Sequence, residues 1–112
     1  MERIVFFILN KTEVLDYLLK ELSDNGIKGG TIIESKGMAY ELANQEEFAF
    51  FGSLRALLNP ERKNNCTIVL IIHDKQLEKV TECVKKVVGD LSEPNTGILA
   101  SFPLDFVEGL KF

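Results

Sequence analysis

Two unbroken apolar runs dominate the chain, Ile4-Val5-Phe6-Phe7-Ile8-Leu9 and Ile68-Val69-Leu70-Ile71-Ile72. Both are rich in β-branched or aromatic residues, which predicts strands over Arg3–Leu9 and Cys66–Ile72. Each is followed by apolar residues at helical spacing. Val14, Leu15, Leu18, Leu19 and Leu22 form the first stripe, with Asn10 and Thr12 as candidate caps and Glu13 and Asp16 in the first turn. Leu77, Val80, Val84, Val87 and Val88 form the second, with Asp74 as its cap and Gly89 as its close. Asn25-Gly26 stops the first helix, and Ile32 and Ile33 then mark an edge strand at Thr31–Lys36, with Gly37 as its exit hinge. Gly97–Phe102 reads as a last strand that Pro103 ends.

The order is strand-helix-strand, an insert, and strand-helix-strand again. Two right-handed βαβ halves interleave into one four-stranded antiparallel sheet with both helices on one face, an α+β arrangement of the ferredoxin-like βαββαβ type. The solid apolar runs belong at its centre, and the two mixed strands at its edges. Helices on one face leave the other face wet, where alternation of polar and apolar residues is the norm. Both central runs are apolar throughout. Each Val, Ile or Phe left in water forfeits roughly 1.5–3 kcal/mol, so the second face calls for cover from copies of the same chain, with the apolar tail Leu104–Phe112 helping as a short helix or strand. A homo-oligomer is expected.

Residues 38–65 are the least regular part. Met38–Glu47 is polar enough for a mobile loop, whereas Phe48–Leu58 carries three phenylalanines and three leucines and suits a short packed helix or turn stopped by Asn59-Pro60. A connection this long inside a compact domain is usually functional or disordered.

Composition narrows the function classes. A chain of 112 residues with 46% hydrophobic and 27% charged residues is expected to be one domain, spanning 1–112, with a real core. The net charge of −4 disfavours a nucleic-acid backbone as partner. No apolar run approaches the ~20 residues of a membrane span, and the first is too short for a signal-peptide core; the cytoplasm is the expected compartment. Cys66 and Cys83 lack motif spacing and read as small buried thiols, and a single histidine, His73, argues against a metal centre. No nucleophile-base pair or paired carboxylates stand out, so no catalytic residue is assigned and a binding protein is expected rather than an enzyme.

Several residues are open to two readings. Thr31 and Gly37 are ligand contacts or simply the ends of an edge strand. Lys36, Arg55, Arg62 and Lys63 receive an anion or form a solvated surface. Phe48, Phe50 and Phe51 form a binding patch or pack into a core or subunit interface. The entry at Gly97, preceded by Asn95-Thr96, offers backbone N–H groups to an anion or is a plain turn.

The run Gly26-Ile27-Lys28-Gly29-Gly30-Thr31-Ile32-Ile33-Glu34-Ser35-Lys36-Gly37 resembles the G-I-x-G-M-T-V-T-E-V-K-G run of nitrogen regulatory PII signalling proteins. Cys66–Val88 follows the same family's order of apolar strand, Asp and Val-rich helix. This resemblance implies a ferredoxin-like homotrimer that binds a small-molecule effector, an adenine nucleotide, in clefts between subunits. It implies a long loop after the second strand that engages an as yet unidentified regulated protein in nitrogen metabolism. By position, Thr31 borders the base, Ile71 lines the pocket, Lys36, Gly37 and Met38 open the loop, and Gly89, Asp90 and Gly97 frame the phosphate segment. Those eight residues are the candidate ligand set. The chain departs from the family where Ala39 replaces a glycine, and where Leu91-Ser92-Glu93-Pro94 follows Gly89-Asp90 without a lysine. It reads as a divergent PII-like protein. The alternative is a metal- or small-solute-binding trimer of the same fold.

Overall fold

The structure, a computed structural model, describes residues 1–43 and 64–110. In chain order it contains β1 (Glu2–Leu9), a 3-10 turn at Thr12–Val14, α1 (Leu15–Asp24), β2 (Thr31–Ser35) and α2 (Met38–Ala43). After the undescribed segment come β3 (Asn65–His73), a 3-10 turn at Asp74–Gln76, α3 (Leu77–Val87) and β4 (Gly97–Pro103). The sheet order is β2-β3-β1-β4 with every pairing antiparallel, as the doubled βαβ pattern requires. The two longer helices lie over one face of this sheet.

Alternation along the central strands assigns each side chain to a face. Val5, Phe7 and Leu9 of β1 and Cys66, Ile68, Leu70 and Ile72 of β3 are buried beneath the helices. They pack with Leu18 and Leu22 of α1 and Val80, Cys83 and Val84 of α3 in one core. The register pairs Ile4 with Ile71 and Phe6 with Val69, so the intervening residues project from the opposite face. There Ile4, Phe6, Ile8, Val69 and Ile71 are only half-buried. On the flanking strands Ile33, Ile98 and Phe102 of the same face keep 47%, 60% and 51% of their surface exposed. The Phe6 and Phe102 rings stack across β1 and β4 with centroids 6.0 Å apart. Among the described residues neither α1 nor α3 covers the apolar middle of this second face, and α2 borders only its end, beside Ile8 and Ile98.

α1 ends as expected. Gly26 adopts φ +86°, the Gly26 N–H donates to Ser23 O, and the Ile27 N–H donates to Leu22 O, which together close a Schellman cap. Buried Ile27 and Leu22 supply its hydrophobic contact. The starts of the helices differ from expectation. Neither Asn10 nor Thr12 caps α1 through its side chain: the first turn is preceded by Lys11, and the Asn10 side chain is engaged elsewhere. At the second helix Asp74 is not the cap. The His73 N–H donates to Gln76 Oε1 at 3.0 Å, while Asp74 faces the Arg3 guanidinium at 3.5 Å and the chain's amino group at 3.8 Å.

Two further expectations are corrected. The segment expected to start a mobile loop at Met38 forms helix α2, because Met-Ala-Tyr-Glu-Leu-Ala is built mostly of good helix formers and the Glu41 N–H reaches back to Gly37 O. The phenylalanine-rich stretch 48–58, Arg55, Arg62 and Lys63 lie outside the described residues. The tail is neither helix nor strand over residues 104–110. It is pinned by the Leu104 N–H to Glu2 O, and it brings Leu110 to a cleft beside Val69 and Ile71 while Phe106 remains 78% exposed. Among the described residues no helix is long and apolar enough to cross a membrane.

Gly97 carries a packing constraint. A Cβ there would sit 2.7 Å from Ile8 O and 2.8 Å from the Phe7 ring, both fixed by the sheet and the core. Gly97→Val is expected to lower stability by about 1–3 kcal/mol, as overpacked cores do. Gly29→Ala, with nothing within 4 Å of its added Cβ, is expected to stay within about 0.5 kcal/mol of wild type. Urea denaturation midpoints of the two variants check the contrast; equal midpoints would show that the close approach at Gly97 imposes nothing.

Candidate ligand site

The antiparallel register gathers four strand termini at one end of the sheet. Ser35 ends β2 opposite Asn65 at the start of β3, and Leu9 at the end of β1 meets both Cys66 and Gly97. On this second face the end carries polar groups, whereas the middle is apolar and the opposite end holds Glu2 and His73. Thr67 and Ser35 hydroxyls lie 2.9 Å apart, and Ser35 Oγ donates to Asn65 Oδ1. Since a hydroxyl carries one proton, Thr67 must donate to Ser35. Asn65 Nδ2 then donates to Asn10 Oδ1 at 3.2 Å. A single directed chain therefore runs Thr67, Ser35, Asn65, Asn10 across three strands.

This chain floors a cavity of about 400 Å³, within the roughly 300–1,000 Å³ usual for small-molecule sites. Its apolar walls come from Ile8, Ile98 and the first turn of α2, where Met38 is 79% exposed at the rim. Lys36 and Gly37 form the lip, and Asn95 closes the side from the α3–β4 loop. Asn95 holds φ +61°, a left-handed conformation that asparagine tolerates better than most residues. Lys36 is the one charged group among the described lining residues.

A second cleft, about 340 Å³, opens at the other end of β2. Thr31 and Ile71 line it together with Lys28, Val69 and Leu110 and the backbone of Gly29 and Gly30. At ~3.3 Å per strand residue, the four steps from Thr31 to Ser35 hold the two clefts about 13 Å apart. The eight candidate residues therefore divide. Lys36, Gly37 and Met38 share the first cleft, and Thr31 and Ile71 the second. Gly89 and Asp90 lie at the end of α3 beside Leu91, and Gly97 is packed against Phe7 and Ile8. A Cβ at Gly37 would meet Asn65 Nδ2 at 3.5 Å, an ordinary contact, and the residue has no left-handed φ, so its conformation does not demand glycine.

Asp90 is committed locally. Its Oδ1 accepts from the Ser92 N–H at 2.9 Å and the Ser92 hydroxyl at 2.8 Å. The backbone donor first, and the hydroxyl second, hold its carboxyl below the usual carboxylate range. The Cys66 and Cys83 thiols are pushed up by burial, which keeps them protonated and weakly nucleophilic at neutral pH. His73 sits with Nδ1 3.3 Å from Glu2 Oε2 at the far end of the two central strands. Among the described residues no cluster of three or more His, Cys, Asp or Glu could hold a metal ion.

Of the residues that shape the first cavity, Asn10, Ser35, Asn65 and Thr67 carry no ligand signal in the sequence, and Asn95 carries one only through the backbone N–H groups of the Gly97 entry. Asn10 reads there as a helix cap, and only the register shows that the five face one volume. The remaining signal was positional: polar residues stand at the ends of otherwise apolar strands on the same face.

No protein family model matches the sequence, and no curated protein matches it. A functionally unknown protein from Pediococcus pentosaceus superposes with a TM-score of 0.64 at 15% identity, covering 97% of each chain. PII of Arabidopsis thaliana, solved bound to citrate, superposes with a TM-score of 0.61 at 14% identity, covering 92% of this chain and 74% of that one. The fold is thus a divergent PII-like one, an α+β four-stranded antiparallel sheet of ferredoxin-like type.

The Asp90 turn generates a test with a definite sign. A depressed carboxyl contributes stability at neutral pH that is lost as the pH falls through the lowered value. Ser92→Ala removes the lesser of the two donors, so an NMR titration should show the Asp90 carboxyl rising toward, without reaching, the ordinary range. An unchanged titration would mean that the hydroxyl contact does not form.

Proposed function

We propose that the chain is a PII-like regulatory protein that works as a homotrimer, binds a small-molecule effector and passes its occupancy to a partner protein rather than catalysing a reaction. The observation that carries this reading is the apolar face that α1 and α3 leave uncovered among the described residues. Ile4, Phe6, Ile8, Val69, Ile71, Ile98 and Phe102 share one side of the sheet, and each would forfeit roughly 1.5–3 kcal/mol if left fully in water. Copies of the same chain supply a matching apolar surface, and three copies leave clefts along their seams.

The resemblance of the Gly26–Gly37 run points to an adenine nucleotide as the effector and to nitrogen metabolism in the cytoplasm as the setting. Thr31 and Ile71, which both line the second cleft, are assigned to the base. Lys36, Gly37 and Met38 at the first cleft begin the segment assigned to the regulated partner. Gly89, Asp90 and the Gly97 entry frame the loop that closes the site, with Asp90 tied to Ser92. The Arabidopsis PII bound to citrate supports a small-molecule role for this kind of fold.

Light scattering coupled to size exclusion should return three times the 12.6 kDa chain mass, and the double variant Ile98→Glu, Phe102→Glu should shift the protein to monomer. A wild-type monomer in dilute solution would remove the reading's main support. A thermal-shift series with ATP, ADP and AMP should show stabilisation of about 2.7 kcal/mol for any nucleotide present at 100 times its dissociation constant.

A further inference from the structure

We propose that the cavity floored by Thr67, Ser35, Asn65 and Asn10 takes an uncharged ligand through an amide-type edge: an adjacent N–H donor and acceptor, as on a nucleobase or a primary carboxamide. The inference deepens the small-molecule reading above and rests on it. It assigns the chemistry of this one cavity.

Three observations carry it. The first is the lining. Four of the residues on it are asparagines, Asn10, Asn64, Asn65 and Asn95, joined by the hydroxyls of Ser35 and Thr67. An asparagine amide presents a donor pair and an acceptor on one planar group, which pairs with a second such edge through two parallel hydrogen bonds, as with the adenine edge in nucleic-acid recognition. The second is pre-organisation. The directed chain from Thr67 to Asn10 fixes the amide orientations before any ligand arrives: Ser35 is donor to Asn65 Oδ1, so Asn65 Nδ2 is the group aimed at Asn10. An amide held by its neighbours loses little freedom on binding. The third is charge. Lys36 is the sole charged side chain among the described lining residues and is exposed at the lip. A polyphosphate or tricarboxylate needs several cations or converging N–H groups, whereas a neutral heterocycle needs apolar walls, which Ile8, Ile98 and Met38 supply.

Calorimetric titration of the full chain with adenosine, nicotinamide, ATP and citrate separates the outcomes, each at low and moderate salt. Adenosine or nicotinamide should saturate the protein with an affinity that changes less than about twofold between the two salt conditions, because screening acts on charges. Saturation by adenosine that Asn65→Ala and Thr67→Val weaken identifies a nucleobase edge in this cavity rather than in the Thr31–Ile71 cleft, and saturation by nicotinamide alone identifies a carboxamide. Asn65→Ala and Thr67→Val should each weaken that binding by about fivefold or more, while Lys79→Ala, on the helix over the opposite face, leaves it unchanged. Thr67→Val keeps the side-chain shape, so it reports on the site even where Asn65→Ala fails to fold. Saturation by ATP or citrate with neither neutral probe bound overturns the inference and leaves the small-molecule reading standing. Neutral binding indifferent to both variants places the ligand elsewhere and also overturns it. Silence from all four probes overturns it together with the nucleotide assignment.

Discussion

Two helices cannot cover both faces of a four-stranded sheet, and the rest of the molecule follows from that shortfall. α1 and α3 bury Val5, Phe7, Leu9, Ile68, Leu70 and Ile72 almost completely. The same backbone, through its alternation, must then turn Ile4, Phe6, Ile8, Val69 and Ile71 the other way. A chain with nothing to pack there would carry polar residues at those positions, as one-sided antiparallel sheets do. This chain carries isoleucine, valine and phenylalanine. The apolar character of the second face is therefore a requirement written into both central strands, and Phe6 stacking on Phe102 extends it to the edge strand β4.

Antiparallel register then decides where the polar exceptions fall. Shifting one strand by a residue would turn its whole set of side chains to the opposite face. In the observed register Ser35, Asn65, Thr67 and Asn10 become neighbours although they come from positions up to 57 residues apart in the sequence. None of the four is remarkable alone. Their hydrogen-bonded chain exists because β2, β3 and β1 present their ends on one side at one level. Gly97 belongs to the same arrangement: without a side chain it lets β4 enter tightly against Ile8, so that Ile98 walls the cavity.

Strand order, helix stripes and the Gly26 cap were legible in the sequence because each rests on local chemistry: β-branched runs, a 3.6-residue period, and a left-handed glycine. The apolar second face was legible too, since unbroken hydrophobic runs in a one-sided sheet admit few explanations. The site was legible only in pieces. Thr31 and Ile71 meet in one cleft and Lys36, Gly37 and Met38 in another, yet nothing local to those residues says that β2 separates the groups. Asn10 misled for a physical reason. An asparagine just before a helical stripe is a good cap on propensity alone, and the competing partner, Asn65, lies on a different strand. Met38–Ala43 misled in the reverse direction, its helix-forming residues being masked by the polar character of the longer insert around them.

The position of the asparagine-lined cavity ties recognition to assembly. Ile8, Thr67 and Ile98 belong to both its lining and the face that calls for cover. A second copy laid over that face would approach Ile98 and Ile8 from the side on which the cavity opens. Water would then be excluded from the directed hydrogen-bond chain, and its amides would act in a lower dielectric, where each matched hydrogen bond is stronger and each unmatched one is dearer. Such a site favours a ligand that satisfies its donors and acceptors together, and it penalises one that brings charge without compensation. In the proposed assembly, selectivity for a neutral edge would follow from placing polar residues at the margin of an apolar interface, with no further residue required to enforce it.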